Sequence, residues 1–354
     1  MLQELRDDIE REMALPDLFG ERCVHALSAT ASCQACVDVC PEGAWLLEDD
    51  ALEFDTERCD GCGLCAATCP EGAIAQGQEP AVWIGPEDAT AFTACERAGL
   101  ARSDGVISCL HALHLRDLLH LYRQGVRQIV VAHGDCDACS RGRASRLEDL
   151  LRDLNPALAS HGLAPLTVRC CAAPYWQGAI ARARERATGT KAARRGFLRW
   201  AVGTAVEDGF RLAGLLAHEQ ADFVAAGELL PARQEDGLLP FVPTIDPAEC
   251  HACNACARLC PHAAIRLERD ESDARYVIEA ERCSGCGLCV DVCDVDAVTM
   301  QRWRPQPSPI RLESGRCRSC GAPFRVPEGR MPTNGRCRIC QQTNHHRNLF
   351  QVLE

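Results

Sequence analysis

The cysteines are the residues of this sequence with the greatest capacity for chemistry. There are 26 of them in 354 residues, and thiolates are the preferred ligands of soft metals. They form groups of eight, six, eight and four, which span residues 23–74, 95–171, 250–293 and 317–340. Residues 1–30 carry charges of both signs and lack the apolar core of an export signal. We therefore expect a cytoplasmic protein, in which thiols stay reduced and clustered cysteines bind metals rather than form disulfides.

One cysteine spacing, C-x2-C-x2-C-x3-C, occurs three times: at residues 59–69, 250–260 and 283–293. A proline follows the first two copies, and Asp294 follows the third. Three thiolates two residues apart let one tight loop surround a compact metal centre, and Gly61 and Gly63 suit that loop because glycine reaches positive φ. Residues 57–74 and 281–298 are identical at ten of eighteen positions. The simplest interpretation is duplication of one module.

This spacing resembles that of bacterial two-cluster ferredoxins, over residues 23–75 and 245–300. The resemblance implies two modules that each hold two 4Fe-4S clusters, four in all, and a role as a carrier of single electrons. It also implies that the fourth cysteine of each motif ligates the cluster of the other motif. The ligand sets implied for the second module are Cys250, Cys253, Cys256 and Cys293, and Cys283, Cys286, Cys289 and Cys260. Zinc binding or simple burial is the alternative for these cysteines.

The first module departs from the ferredoxin pattern at one ligand. Thr30 stands where the motif requires a cysteine, and Cys23 is the nearest replacement. The ligand sets expected for this module are Cys23, Cys33, Cys36 and Cys69, and Cys59, Cys62, Cys65 and Cys40. If Cys23 does not reach the metal, the first cluster is a three-iron species or has a ligand other than cysteine.

The last four cysteines have a different spacing, C-x2-C-x16-C-x2-C. They are Cys317, Cys320, Cys337 and Cys340. This spacing is typical of a structural site in which four cysteines bind one zinc ion, and it resembles a zinc ribbon. A rubredoxin-like iron site has the same ligands and is the main alternative. Zinc would fold a tail that is too small to bury a core.

The middle of the chain alternates short apolar runs with a helical pattern. AVWI at 81–84, Val106 with Ile107, and RQIVVA at 127–132 predict short buried strands, while residues 111–124 predict a helix that ends at Gly125. This order favours a small α/β domain with a parallel sheet. Cys136 and Cys139 follow the carboxyl end of a predicted strand, where such sheets place their ligands.

Four cysteines of this region, with the sequence GVRQIVVAHGDCDACSRG, resemble the delta subunit of methyl-viologen-reducing hydrogenase. They are Cys95, Cys109, Cys136 and Cys139. The resemblance covers about residues 80–150 and implies a 2Fe-2S cluster that passes electrons between a ferredoxin-bearing partner and a catalytic subunit. His133 stands where a further cysteine is expected. Ordinary thiols without a metal are the alternative interpretation.

Together these features predict an α+β multi-domain protein. It has two ferredoxin-like βαββαβ dicluster modules, a small α/β domain, a helical connector and a C-terminal zinc ribbon. The predicted segments are an N-terminal extension at 1–22, the first module at 23–78, the α/β domain at 79–175, the connector at 176–240, the second module at 241–304 and the tail at 305–354.

The net charge of the chain and the absence of certain catalytic and nucleotide-binding motifs argue against several classes of function. A net charge of −12 argues against nucleic acid as a partner, and no apolar run is long enough to cross a membrane. The sequence has no GxGxxG after a strand, no P-loop and no GxSxG, so we expect no small-molecule substrate and no catalytic residues. The layout resembles ferredoxin proteins that accompany molybdenum formate dehydrogenases, which implies redox proteins as partners. The alternatives are an accessory or maturation factor for a metallo-oxidoreductase and a redox-sensing regulator.

Overall fold

The computed structural model describes residues 15–48, 51–77, 79–84, 89–101, 103–141, 146–189, 223–231, 234, 236–269 and 274–343. Contacts between Cα atoms divide the chain into two compact units. The first contains Met1–Cys23 and Gln34–Ala232, and the second contains Val24–Cys33 and Arg233–Glu354. Residues 190–222 of the predicted helical connector lie outside the described residues, as do residues 1–14 of the predicted extension. None of the helices in the described ranges is both long and apolar enough to cross a membrane.

The ferredoxin-like part of the first unit is built from short elements. Its strands are β1 (Asp17–Leu18), β2 (Trp45–Glu48), β3 (Ala51–Phe54) and β4 (Ile74–Ala75), and its α-helices are α2 (Ala35–Val39) and α3 (Leu64–Thr68). Strand β1 pairs antiparallel with β4, and β2 pairs antiparallel with β3. The rings of Trp45 and Phe54 stack across that hairpin with centroids 4.5 Å apart. The elements are short because cysteine loops interrupt them.

A five-stranded sheet follows in the same unit. Its strands are β5 (Ala81–Ile84), β6 (Ala89–Cys95), β7 (Val106–Ile107), β8 (Val126–Ala132) and β9 (Thr167–Cys170). The order is β5-β6-β8-β9, with β7 paired to β6, and every pairing is parallel except that of β5. The predicted parallel sheet is therefore confirmed. The prediction of a buried strand at 81–84 is wrong, because β5 is an antiparallel edge strand on which Ile84 is 71% exposed.

Three helices belong to the same region: α4 (Leu115–Arg123) and α6 (Ala173–Gly189), which pack on the sheet, and α5 (Arg146–Ser160). The predicted helix at 111–124 is confirmed as α4, which begins late because the His114 side chain caps it in a reciprocal pair with Asp117. On α6, Trp176 is fully buried against Phe92 and donates a hydrogen bond to the Val130 carbonyl. These contacts fix the strands whose carboxyl ends carry Cys95 and His133.

The second unit contains the second ferredoxin-like region and the tail. Its strands are β10 (Leu239–Ile245), β11 (Ile265–Arg269), β12 (Ala274–Ile278), β13 (Val298–Arg304), β14 (Ile310–Arg316) and β15 (Pro323–Pro327). Its α-helices are α1 (Val24–Leu27), α7 (Ala255–Leu259), α8 (Leu288–Asp291) and α9 (Arg338–Gln342). Strand β10 pairs with β13, and the other four strands form one antiparallel sheet in the order β11-β12-β14-β15. The tail thus continues the sheet of the ferredoxin-like hairpin.

Candidate metal centres

The first predicted ligand set of the second unit converges on one cavity. Cys250, Cys253, Cys256 and Cys293 all line it. Burial, together with the neighbouring Cys250 and Cys253 thiols, raises the pKa of the Cys256 thiol to about 12. Four thiols that line one cavity are placed to share one metal centre, whose positive charge would favour their ionised form.

The second predicted set of this unit also converges. Burial raises the pKa of Cys289, and the nearby Cys283, Cys286 and Cys260 thiols add to the effect. Cys260 belongs to the other motif by sequence. The structure thus brings the fourth cysteine of each motif beside the first three of the other, as the ferredoxin resemblance implies.

The backbone around the sulfurs suits a 4Fe-4S cluster. In the described part of both units, the fourth cysteine of each motif accepts a hydrogen bond at Sγ from the backbone N–H of the alanine four residues later. The Sγ···N pairs are Cys40 with Ala44 at 3.3 Å, and Cys69 with Ala73, Cys260 with Ala264 and Cys293 with Ala297, each at 3.2 Å. All four alanines are buried. Hydrogen bonds to sulfur tune iron–sulfur potentials, and sequence analysis missed these alanines although their +4 spacing was visible.

The backbone conformation of the cysteine loops is a second test of whether the residues fit a 4Fe-4S cluster. Gly285, between Cys283 and Cys286, has φ +84°, and a Cβ there would lie 2.5 Å from a ring carbon of Phe241. In the equivalent loop after Cys250, Ala252 and Asn254 adopt positive φ, at +52° and +67°. L-residues resist this conformation. The second unit therefore holds the same cysteine loop twice, once with glycine and once against the preference of its residues.

In the first unit, two of the predicted ligands of this set lie beside Cys65. Burial raises the pKa of Cys65 to about 11, and Cys59 and Cys40 lie close enough to raise it as well. Burial also raises the pKa of Cys62. The structure thus places Cys40 beside Cys59 and Cys65, as predicted for this set, whereas Cys62 packs with Leu64 and Cys109.

The other predicted set of the first module is divided between the units. Cys23 lies beside Cys69, whose pKa is raised by burial and also by the Cys23 thiol, and both pack in one core cluster with Cys36. Cys33 is part of the second unit, where it packs against Val24, Ala31 and Leu288. The position of Cys23 beside Cys69 suits its predicted role as the replacement ligand.

This position predicts the result of a Cys23→Ser substitution. We expect the variant to lose the 4Fe-4S signal of one cluster, or to convert it to a three-iron signal, because serine is a poor ligand for cluster iron. Low-temperature electron paramagnetic resonance of the anaerobically purified protein measures the loss. Thr30→Ser, which alters the position where the motif lacks its cysteine, is the control and should keep every signal. A Cys23→Ser protein with all of its 4Fe-4S signals would contradict the assignment.

The cysteines of the α/β region meet at the carboxyl ends of the parallel strands. Cys95, Cys109, Cys136 and Cys139 line one cavity, which we call the four-cysteine pocket. Burial raises the pKa of Cys109 to about 11, with Cys95 and Cys139 adding to the effect. Gly134 allows the pocket loops to meet, since a Cβ there would lie 2.5 Å from the Arg97 carbonyl oxygen. The geometry suits a metal centre with four thiolate ligands.

His133 and two further thiols lie around this region. His133 is exposed on the rim of the pocket, and its Nδ1 is 3.7 Å from Cys136 Sγ. Cys170 is exposed at the end of β9, and Cys171 Sγ donates a hydrogen bond to the Val131 carbonyl at 3.5 Å. The adjacent pair therefore does not join the four thiols of the pocket.

Arg141 is a residue of this pocket that sequence analysis missed. Its side chain is only 6% exposed, and its guanidinium contacts the carboxylates of Asp60 and Glu96. Burial opposes the charged form of Arg141, but hydrogen bonds and charge from both carboxylates raise its pKa above the ordinary value. No local sequence pattern indicates these partners, because Asp60 is 81 residues away in the chain.

The four tail cysteines form a compact site. The Sγ atoms of Cys317, Cys320, Cys337 and Cys340 all lie within 4.8 Å of one another. Although burial opposes ionisation of Cys317, backbone hydrogen bonds from Cys320, Cys337 and Ser319 lower its pKa to about 5. A thiol that ionises readily beside three others fits a zinc or iron ion with four sulfur ligands.

The tail site is joined to the neighbouring cysteine cavity of its unit by Arg338. This residue follows Cys337, and its Nη1 lies 2.8 Å from a carboxylate oxygen of Asp294 and 3.3 Å from Nδ1 of His251. Asp294 follows Cys293, and His251 follows Cys250. Asp294, which stands where the other two copies of the motif have proline, thus supplies the carboxylate of an ion pair with Arg338.

Comparison with family models identifies the cysteine motifs. Residues 249–297 match a 4Fe-4S dicluster domain, and residues 52–75 and 21–43 each match a 4Fe-4S binding domain. The prediction of 4Fe-4S domains in both halves of the chain is therefore confirmed.

Comparison with individual proteins finds subunits and domains of oxidoreductases. The pyruvate synthase subunit PorD of Methanothermobacter marburgensis is 34% identical over 62 residues, which cover 18% of this chain and 68% of PorD. The pyruvate-flavodoxin oxidoreductase of Klebsiella pneumoniae is 30% identical over 161 residues, 34% of this chain and 13% of that protein. NADH-quinone oxidoreductase subunit I of Pelobacter propionicus is 33% identical over 66 residues, 16% of this chain and 36% of the subunit. The chain thus spans only a minor part of the last two proteins.

Proposed function

This chain belongs to the family of ferredoxin-type 4Fe-4S proteins that includes PorD, and we propose that it relays single electrons between redox proteins as a subunit or partner of a larger oxidoreductase. The observation that carries the proposal is the convergence of the two cross-motif ligand sets in the second unit. A bound 4Fe-4S cluster supplies reversible one-electron chemistry.

The residues of the chain create the conditions for that chemistry. The thiolates hold the iron, and the N–H groups of the four buried alanines donate to sulfur, which favours the more negative, reduced state. Buried cysteines such as Cys65, Cys256 and Cys289 keep water from the ligands. Cys253 is exposed, which leaves one side of its cavity open to a partner protein.

We extend the proposal to the finer assignments. The ferredoxin modules hold four 4Fe-4S clusters, with Cys23 as the unusual ligand of one. The four-cysteine pocket holds a 2Fe-2S cluster, and the tail holds one zinc ion. Convergence of each set of thiols supports these assignments. The catalytic partner is a formate dehydrogenase or a hydrogenase, which rests on the resemblances of the sequence, and the acidic net charge of −12 suits a basic docking surface on that partner.

A second candidate function is an accessory or maturation factor for a metallo-oxidoreductase. The tail site favours it, because an electron relay does not require a closed set of four cysteines outside its clusters. In that role the clusters supply electrons while the tail contacts a client enzyme that lacks its cofactor.

Anaerobic co-purification from the native host discriminates between the two functions. A relay is expected to elute with a stoichiometric partner that contains its own cofactor, and to pass electrons to it in single-turnover mixing. A maturation factor is expected to retain only a client that lacks its cofactor. Purified chain that carries its clusters but neither reduces nor is reduced by any co-eluting oxidoreductase would contradict the relay.

A further inference from the structure

Arg141 connects four cysteine-bearing segments of the first unit. Its Nη1 donates to Glu96 Oε1 at 2.6 Å and to the Ser108 carbonyl at 3.0 Å. Its Nη2 donates to the Asp60 carbonyl at 3.0 Å, and its Nε donates to the Asp60 carboxylate. Every partner is adjacent to a predicted ligand, since Asp60 follows Cys59, Glu96 follows Cys95 and Ser108 precedes Cys109, while Arg141 itself follows Cys139 by two residues.

These segments belong to two different candidate centres. Glu96 and Ser108 are the sequence neighbours of Cys95 and Cys109, which line the four-cysteine pocket, whereas Asp60 lies in the loop between Cys59 and Cys62 of the first ferredoxin module. The two centres also share an apolar contact. Cys62, a predicted ligand of the first module, packs in one buried cluster with Leu64 and with Cys109, a predicted ligand of the pocket. The buried guanidinium and this apolar contact therefore hold the two centres at a fixed separation.

The charge of Arg141 acts on both centres. Adding an electron makes an iron–sulfur centre more negative, so a nearby positive charge favours the reduced form. The effect is strong where the charge is shielded from solvent. Asp60 and Glu96 oppose it in part, and they would be left as uncompensated carboxylates without Arg141.

We propose that Arg141 is a positioning residue that couples the four-cysteine pocket to the centre held by Cys40, Cys59, Cys62 and Cys65, so that electrons enter or leave the first module through the pocket. The transfer moves one electron from one centre to the other, which oxidises the first as it reduces the second and requires no proton. The inference rests on the proposed relay function and adds to it the route and the residue that maintains it.

The test is a redox titration followed by electron paramagnetic resonance on the anaerobic full-length protein. In Arg141→Met, the signals of both centres should move to lower potential, with about a tenfold change in the ratio of reduced to oxidised form at a given potential, which is about 59 mV. Arg141→Lys retains the charge and should bring both potentials most of the way back to the wild-type values. Arg127→Met is the matched control, because the Arg127 guanidinium lies over the Tyr122 ring in the same unit and donates to the Tyr122 and Val126 carbonyls; both signals should stay at wild-type potential.

Each result of the redox titration either supports or contradicts the proposed coupling by Arg141. Where Arg141→Met keeps both centres, unchanged potentials, or a shift confined to one centre, would overturn the coupling. If the methionine variant loses the metal of the pocket, the signal of the Cys40 set still decides, since it must shift in Arg141→Met and recover in Arg141→Lys. Wild-type protein with 4Fe-4S signals but no centre in the pocket would overturn the inference and leave the relay intact. Wild-type protein without sulfide would overturn the relay itself.

Discussion

Replacing Cys293 with serine is expected to abolish the same 4Fe-4S signal as replacing Cys250, although the two cysteines belong to different motifs. Both line one cavity with Cys253 and Cys256. Cys260→Ser should instead abolish the signal that depends on Cys283, because Cys260 lies with that set. Each substitution removes one ligand of a cluster, so we expect a loss of about four irons with their sulfide.

Electron paramagnetic resonance of the reduced variants, with iron and sulfide analysis, measures this result. Cys171→Ser is the matched control, since it removes a thiol that donates to the Val131 carbonyl and lies outside the ligand sets. It should retain every cluster. If Cys250→Ser and Cys260→Ser abolished one signal, and Cys283→Ser and Cys293→Ser the other, each cluster would be bound within its own motif and the cross-motif assignment would be wrong.

Replacing Cys317 with serine is expected to release the metal of the tail and unfold the segment around it. Cys317 is buried and accepts backbone hydrogen bonds from Ser319 and Cys337 at Sγ. Small metal domains depend on their metal to fold. The rest of the unit has its own antiparallel strand pairs, so its clusters should remain.

Metal analysis and limited proteolysis measure the effect. The variant should lose one zinc and be cleaved between residues 317 and 343, with the iron content unchanged. Cys170→Ser, which alters an exposed thiol, is the control and should keep the zinc and resist cleavage. Loss of iron in place of zinc would establish the rubredoxin-like alternative. A Cys317→Ser tail that stays resistant to protease would contradict a structural role for the metal.

Local patterns in the sequence predicted much of the site. Fixed spacings placed the three ligands of each loop, and the ferredoxin resemblance supplied the fourth from the other motif. The helix at Leu115–Arg123 and the parallel sheet also followed from local periodicity. Such features are predictable because their causes lie within a few neighbouring residues.

Features that depend on distant parts of the chain were not predictable. The burial of AVWI was overestimated, because an edge strand exposes one side whatever its composition. Arg141 gains its role from Asp60, and Arg338 from Asp294, which are 81 and 44 residues away in sequence. A charged residue in a polar stretch gives no sign of its partner until the fold brings the two together.

Anaerobic quantitation of iron, acid-labile sulfide and zinc in the wild-type protein, with electron paramagnetic resonance of the reduced sample, decides whether this chain carries electrons on iron–sulfur clusters. We expect about sixteen irons from the two ferredoxin modules, about two more from the four-cysteine pocket, a matching amount of sulfide and one zinc ion. The reduced protein should show signals of interacting 4Fe-4S clusters. A colourless preparation without sulfide, in which zinc fills the cysteine motifs, would contradict electron transfer by this chain.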